Sequence, residues 1–303
     1  MISFVIVHIG KKEFPKHIYD CVGQIRCFHE KNDIYLAVNR SVKNMDMDRL
    51  NNLNCKIVYI ETLKKSRKHR KWSWTTRLKK FWKYAAERFF VVEEVMESFD
   101  LEHVVHLESD NLIYYDWNRL EDELENCYPT LSAPADSDER CVAGVMWINT
   151  RSALNDLTNY LCTREAKQMS NEMFMLAKYM KLSETENLPV VSDQRVCGKS
   201  AEKYMKNVED LQGIFDAAAI GQYIGGEDKR GYIDILNGKY EKVPEGDEKI
   251  VPVINKNLIY DVEKMDIHWI RNEEGKYIPV AGETKIYNLH IHSKELSKYL
   301  SVR

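Results

Sequence analysis

Apolar positions along the first third of the chain alternate between two rhythms. Short apolar runs at Ile2–Val7, Asp33–Val38 and Lys56–Ile60 read as strands, and Phe14–Phe28 reads as a helix between the first two. Trp82, Ala85, Ala86, Phe89, Val92, Val95 and Met96 then recur at helical spacing, so a long helix delivers the chain to a buried strand at Val104, Val105 and Leu107. Strands alternating with helices in this way predict a mostly parallel central sheet flanked by helices. Further on, Ala143–Thr150 reads as another buried strand. Ala153, Leu154, Leu157, Tyr160 and Leu161 give an amphipathic helix after it, and a second helix runs over Asn171–Met180. Asn237-Gly238 and Glu274-Gly275 have the form of hairpin turns, which makes the last third β-rich. No repeat, low-complexity tract or linker divides the sequence, so one domain over 1–303 is expected, in two parts at 1–115 and 116–303.

Chemistry enters where the fourth predicted strand stops, at His106-Leu107-Glu108-Ser109-Asp110-Asn111. Two carboxylates one residue apart at a strand's mouth share a face, and hard divalent cations prefer such oxygens, completing their shell with substrate phosphates. Ser, Asp and Asn are also turn formers, so the same residues describe an ordinary strand-to-turn junction. In open α/β sheets ligands collect beyond the carboxyl ends of the strands, which is where His8, Asn39, Glu108 and Asp110 all fall.

Composition narrows the class. The longest apolar runs are far short of a membrane helix, and Met1–Val7 lacks the basic start of a signal peptide. Seven Cys form an odd set without metal-type spacing, the usage of reduced thiols, so a cytoplasmic location is expected. The net charge of −3 conceals nine Lys or Arg between Lys64 and Lys80 with no acid among them, which leaves −12 on the rest of the chain. Interleaved with Trp72 and Trp74, this basic run reads as a mobile loop, as a flap that closes on an anionic ligand, or as a nucleic-acid surface. The acidic remainder weighs against the last, and no nucleic-acid partner is expected.

The tail Asn288-Leu289-His290-Ile291-His292-Ser293-Lys294 alternates, placing His290 and His292 on one strand face, with His292 reaching further. Neutral imidazole binds metals of the Mn²⁺ class, and Lys294 can neutralise a phosphate. Leu211–Gly231 holds Asp216, Gln222 and the pair Gly225-Gly226 in a small-residue stretch. It reads either as backbone brought close to a ligand or as an Ala-rich helix with a Gly terminator.

Taken in order, Glu87-Arg88-Phe89-Phe90, His106–Asn111, Ala143–Thr150, Phe215–Gly226 and His290–Lys294 resemble the blocks of GT-A fold glycosyltransferases, over Met1 to about Lys298. The resemblance implies a metal-dependent enzyme using a nucleotide-sugar donor, with UDP as the default nucleotide, Mn²⁺ or Mg²⁺ as cofactor, and a glycan, lipid or protein acceptor. Glu108-Ser109-Asp110 would occupy the place of the family's Asp-x-Asp element, with Asp110 on the metal and Glu108, which departs from the commoner Asp, nearer donor or metal water. His292 or His290 would complete the metal shell, and Lys294 would meet the diphosphate. Val7-His8 would lie near the base, Arg88 near the donor and Gly144 near the sugar.

Such chemistry needs charge stabilisation of a leaving diphosphate and, in an inverting enzyme, a general base on the acceptor hydroxyl. Glu172, Asp193 and Asp216 are the candidates, with Asp216 favoured because it opens the small-residue segment. A nucleotidyltransferase and a non-catalytic glycan- or nucleic-acid-binding module are the alternatives. For the former, Val7-His8-Ile9-Gly10-Lys11-Lys12 is a poor phosphate loop.

Overall fold

The computed structural model describes residues 1–10, 12–196, 201–226, 232–234, 239–241 and 258–302. The first half alternates β1 (Ser3–His8), α1 (His17–Phe28), β2 (Ile34–Val38), α2 (Met47–Asn52), β3 (Cys55–Tyr59), α3 (Arg67–Thr75), α4 (Lys80–Phe99), β4 (Val104–Leu107) and β5 (Asn111–Ile113). After α5 (Glu121–Cys127) come the short strands β6 (Leu131–Ser132), β7 (Ala135–Ser137), β8 (Arg140–Cys141) and β9 (Val145–Ile148), then α6 (Arg151–Leu161) and α7 (Glu172–Leu182). The remainder holds α8 (Ala201–Met205), α9 (Val208–Leu211), β10 (Gly213–Ile214), α10 (Ile220–Gly225), the pair β11 (Tyr232–Asp234) and β12 (Lys239–Glu241), and β13 (Ile267–Arg271), β14 (Tyr277–Ala281), β15 (Thr284–Ile286) and β16 (Asn288–His290).

The central sheet has the order β3-β2-β1-β4-β9-β6. The first four strands are mutually parallel, and β9 runs antiparallel to both its neighbours. Strands covered by helices on both faces read as unbroken apolar runs, and β2, β4 and β9 are buried at every position. A second sheet, β10-β15-β14-β13, carries the β-rich C-terminal part. The mixed α/β class expected from the sequence is thus the class observed. Gly275, at φ +74°, closes the turn between β13 and β14. The strands flanking Asn237-Gly238 pair antiparallel, while that turn itself lies outside the described residues.

The basic run departs from a mobile loop. Much of it is α3, capped by Ser66, whose hydroxyl accepts the His69 N–H, and docked on α4. Trp72 is fully buried, with its ring 5.0 Å from that of Phe90. His69 lies between Glu94 at 2.8 Å and Glu87 at 3.0 Å, and Lys68 reaches Glu93 at 2.7 Å. The counter-charges missing from the run are supplied by the next helix. Residues 85–96 of α4 are buried all round, and charges there need partners because an unpaired buried ion is costly. Glu87, Arg88, Glu93 and Glu94 each have one.

Candidate active site

The strand β4 stops at Leu107, and Glu108–Asp110 form the turn into β5, closed by the Asn111 N–H donating to the Glu108 carbonyl at 3.1 Å. Pairing β5 with β16 sets His290 opposite Asn111, and the Ile291 N–H donates to the Asp110 carbonyl at 2.8 Å. The tail is therefore fastened along the acidic turn. The triplet is a turn, and its two carboxylates converge on His290 because the β5–β16 register, rather than strand alternation, brings the tail to them.

His290 Nε2 lies 3.0 Å from Glu108 Oε2 and 3.2 Å from Asp110 Oδ1. The other Asp110 oxygen is ion-paired with Lys294, and the other Glu108 oxygen with Arg88. Arg88 continues to Glu172 at 3.6 Å. His292 Nδ1 is 2.6 Å from Gln222 Nε2, and its ring stands edge-on to that of His290 with centroids 4.4 Å apart. Asp110, His290 and His292 offer ligand atoms that all lie within 4.8 Å of one another. His290 and His292 do not share an exposed strand face. His290 is buried, and His292 lies beyond the end of β16.

The donor set suits a divalent cation. Burial pushes the His290 imidazole down to about 4, Asp216 working against the shift and Arg88 with it. Burial, with His290 beside it, holds His292 well below the usual range. Metal ligation requires neutral imidazole, which both residues therefore supply at neutral pH. Among the described residues, His290 Nδ1 has no hydrogen-bond partner. A second group of metal-type ligands, His103, Glu121 and Glu125, is a set of partly exposed ion pairs that includes the N-terminal amine. A cavity of about 640 Å³ lined by Tyr19, Asp20, Asp46 and Arg49 holds none of the site residues.

The three candidate bases part company. Asp216 is fully buried in the turn that leads into α10. One of its oxygens accepts the N–H groups of Ala219 (2.7 Å) and Ile220 (2.9 Å), the other those of Gly221 (2.8 Å) and His290 (2.9 Å). Burial raises its pKa while the backbone donors oppose the rise. Four donors fill a carboxylate's acceptor sites, which leaves none for an acceptor hydroxyl and makes Asp216 a cap and an anchor for the tail. Asp193 is solvent-facing and chelated by Arg195 at 2.5 to 3.1 Å. Glu172 is 4% exposed, keeps Oε2 without a hydrogen-bond partner among the described residues, and has its pKa raised by burial with Arg88 pulling it back.

The remaining residues hold the frame. A Cβ on Gly144 would lie 2.5 Å from His290 Nδ1 and 2.9 Å from Asn111 Nδ2, so this position must be glycine for the imidazole to sit where it does. Gly225 packs on Ile291 and Gly226 ends α10 at φ +67°, the helix-terminator form of that segment. Asn39 accepts from the Gly10 N–H at 2.8 Å and donates to Glu61 at 3.0 Å, tying two loops at the sheet's carboxyl edge. His8 is buried at the end of β1 beside Phe14.

Sequence reasoning passed over Asn111 and Asn288 as actors. Asn288 Nδ2 donates to Asn111 Oδ1 at 2.7 Å, Asn111 Nδ2 donates to the Gly144 carbonyl at 2.8 Å, and Asn288 Oδ1 accepts the Asp216 N–H at 3.0 Å. Gly221 was passed over too, although a Cβ there would overlap the His290 carbonyl. The available signal was an asparagine at each end of the pair, one closing the acidic turn and one opening the alternating tail, since buried amides imply a satisfied network.

No family model and no curated protein matches the sequence. Among solved structures, the chain is similar to mouse xyloside xylosyltransferase 1 in its apo form, at 11% identity and TM-score 0.43 over 61% of this chain and 82% of that one. It is also similar to the glycosyltransferase GlyE of Streptococcus pneumoniae TIGR4, at 13% identity and TM-score 0.39 over 61% of this chain and 44% of that one. A cytidylyltransferase from Leptospira borgpetersenii aligns at 9% identity and TM-score 0.37 over 60% of this chain and 71% of that one. Glycosyl- and cytidylyltransferases thus align over a similar share of the chain.

Proposed function

We propose that the chain is a glycosyltransferase that moves a sugar from a nucleotide-diphosphate sugar, UDP-linked by default, to a hydroxyl of a glycan, lipid or protein acceptor. The observation that carries this reading is the joining of Asp110 to His290, His292 and Lys294 beyond the carboxyl end of β4, with Arg88 and Glu108 beside them. Asp110, His290 and His292 are assigned as the holders of Mn²⁺ or Mg²⁺, whose contribution when bound is positive charge on the oxygens of the departing diphosphate.

Everything else falls to the protein's own side chains. Lys294, already on Asp110, is the cation for the diphosphate, and Arg88 supplies a second positive charge at the donor. Glu108 orients both His290 and Arg88. Glu172 replaces Asp216 as the carboxylate for the acceptor proton: it lies in the same ion-pair chain, and burial raises its pKa above the ordinary carboxylate range with Arg88 opposing, which strengthens it as a base. Residues 1–115 serve the nucleotide and 116–303 the acceptor and the metal tail. Among the described residues no helix is long and apolar enough to cross a membrane, and a cytoplasmic setting is proposed on the free thiols there.

The test is donor turnover by the purified chain over a panel of sugar nucleotides, with Mn²⁺, Mg²⁺ or chelator. Metal-dependent release of nucleoside diphosphate, lost in Asp110→Asn, is expected. Pyrophosphate release from a nucleoside triphosphate and a sugar phosphate would instead make it a nucleotidyltransferase, and glycan binding without turnover would make it a binding module.

A further inference from the structure

The outer face of α3 and the first turn of α4 form a surface that the proposed reaction leaves unused. With Trp72 and His69 turned inward, Arg67, Arg70, Lys71 and Trp74 fall three and four residues apart on the opposite, solvent-facing side. Trp74 is 91% exposed and Phe81 64% exposed, and Tyr84 is exposed one turn beyond Phe81. Lys64, Arg77 and Lys79 are also exposed, so the segment leading into these aromatic rings carries six accessible cations, with no acidic residue anywhere between Lys64 and Lys80. Large aromatic side chains left largely in water, even where one edge packs as Phe81 does on Trp82, mark an interaction surface.

We propose that this face is a docking surface for an anionic phospholipid bilayer, on which the protein lies peripherally. Two features of the patch match two layers of a membrane. Its cations meet the acidic headgroups, and Trp74 and Phe81 enter the interfacial zone that aromatic rings prefer. The rest of the chain carries −12, which sets a charge asymmetry that turns the basic face toward an acidic plane and the remainder away from it. A flexible polyanion would meet that acidic remainder, whereas a plane meets one face only. The helix is also braced for the load, since Trp72 on Phe90 and the ion pairs from Lys68 and His69 fix α3 to α4. Tyr84 packs on Gly10 at the end of β1, and Arg88 of the site is one helical turn further along α4, so the bilayer would lie beside the mouth of the site. This proposal does not depend on which reaction the site performs.

The test uses the full chain with phosphatidylcholine vesicles and with vesicles containing added phosphatidylglycerol, followed by co-sedimentation and tryptophan fluorescence. Binding to the anionic vesicles only, with a blue shift absent from Trp74→Phe, is expected. Trp74→Ala should weaken partitioning roughly tenfold or more, the worth of returning one large aromatic to water. Arg70→Glu with Lys71→Glu should weaken it by about fivefold or more per cation lost, and added salt should do likewise. All of these side chains are exposed, so the melting temperatures should match that of the unaltered chain. Absence of binding to anionic vesicles overturns the proposal, as does equal binding to neutral vesicles or binding unchanged in both variants. Retention by heparin or single-stranded RNA without vesicle binding would reassign the face to a polyanion.

Discussion

Asp216→Asn separates an anchor from a base, because the two roles move different observables. The substitution keeps the shape of the side chain and turns one oxygen into an amino group. If that group replaces Oδ2, it faces the N–H groups of Gly221 and His290, both now without an acceptor. Each lost hydrogen bond to a charged group is worth roughly 1.5–3 kcal/mol, so about 3 kcal/mol is the low estimate for the pair. In a chain of this size about 1 kcal/mol corresponds to roughly 2 °C, which predicts a fall of ~6 °C or more in Tm. The His290 N–H is one of the two donors, so the tail should loosen and the Mn²⁺ concentration needed for half-maximal thermal stabilisation should rise. Differential scanning calorimetry with and without Mn²⁺, alongside donor turnover, measures all three. Unchanged Tm and unchanged Mn²⁺ dependence with turnover abolished would refute the anchor and restore Asp216 as the base.

Asp110→Asn should abolish Mn²⁺-induced stabilisation, with a far-UV spectrum unchanged; stabilisation by Mn²⁺ equal to that of the unaltered chain would remove Asp110 from the metal set. Gly144→Ala should cost about 1–3 kcal/mol in denaturant unfolding through overpacking and weaken Mn²⁺ binding by displacing the His290 ring, whereas Gly23→Ala, where a Cβ meets nothing, should leave Mn²⁺ binding unaffected. His69→Gln should destabilise more at pH 6 than at pH 9. Burial lowers the His69 pKa, but the hydrogen bonds it donates to Glu87 and Glu94 outweigh it and raise the folded-state value. The stabilisation is therefore complete below the unfolded pKa and fades as pH rises through the folded one. Paired urea titrations at the two pH values check this, and a pH-independent loss would show that the imidazole is neutral between its carboxylates. Glu172→Gln should lower turnover with Tm and Mn²⁺ dependence little changed; undiminished turnover would take the base away from Glu172.

The legible parts of this molecule were those encoded locally. Strand ends, the long apolar periodicity of α4 and the types of residue that bind metal are written within a few positions of one another, so Glu108, Asp110, His290 and His292 could be picked out singly. Their meeting could not, because the register of β5 on β16 is set by pairing across the whole chain. Asp216 shows a local signal misjudged: an acid three residues before a run of backbone N–H groups is a helix cap first, and its place among small residues drew attention to a pocket instead. The basic run failed for the opposite reason. Its charges were read against their own neighbours, while the acids that hold them, Glu87, Glu93 and Glu94, stand on the following helix behind an apolar stripe that hid them. Asn111 and Asn288 were invisible as a pair because they are separated by 177 residues.

That same separation gives the site a place in time. Lys294 reaches Asp110 across 184 positions, and His290 arrives only with the last strand. During synthesis the sheet β1 to β4 can gather while the proposed metal ligands are still a single carboxylate turn, so the proposed cation site is not yet assembled. The proposed ligand set is whole only once β16 has paired and Lys294 has reached Asp110. A cation bound by that proposed set would stabilise the docked tail by mass action and oppose its release.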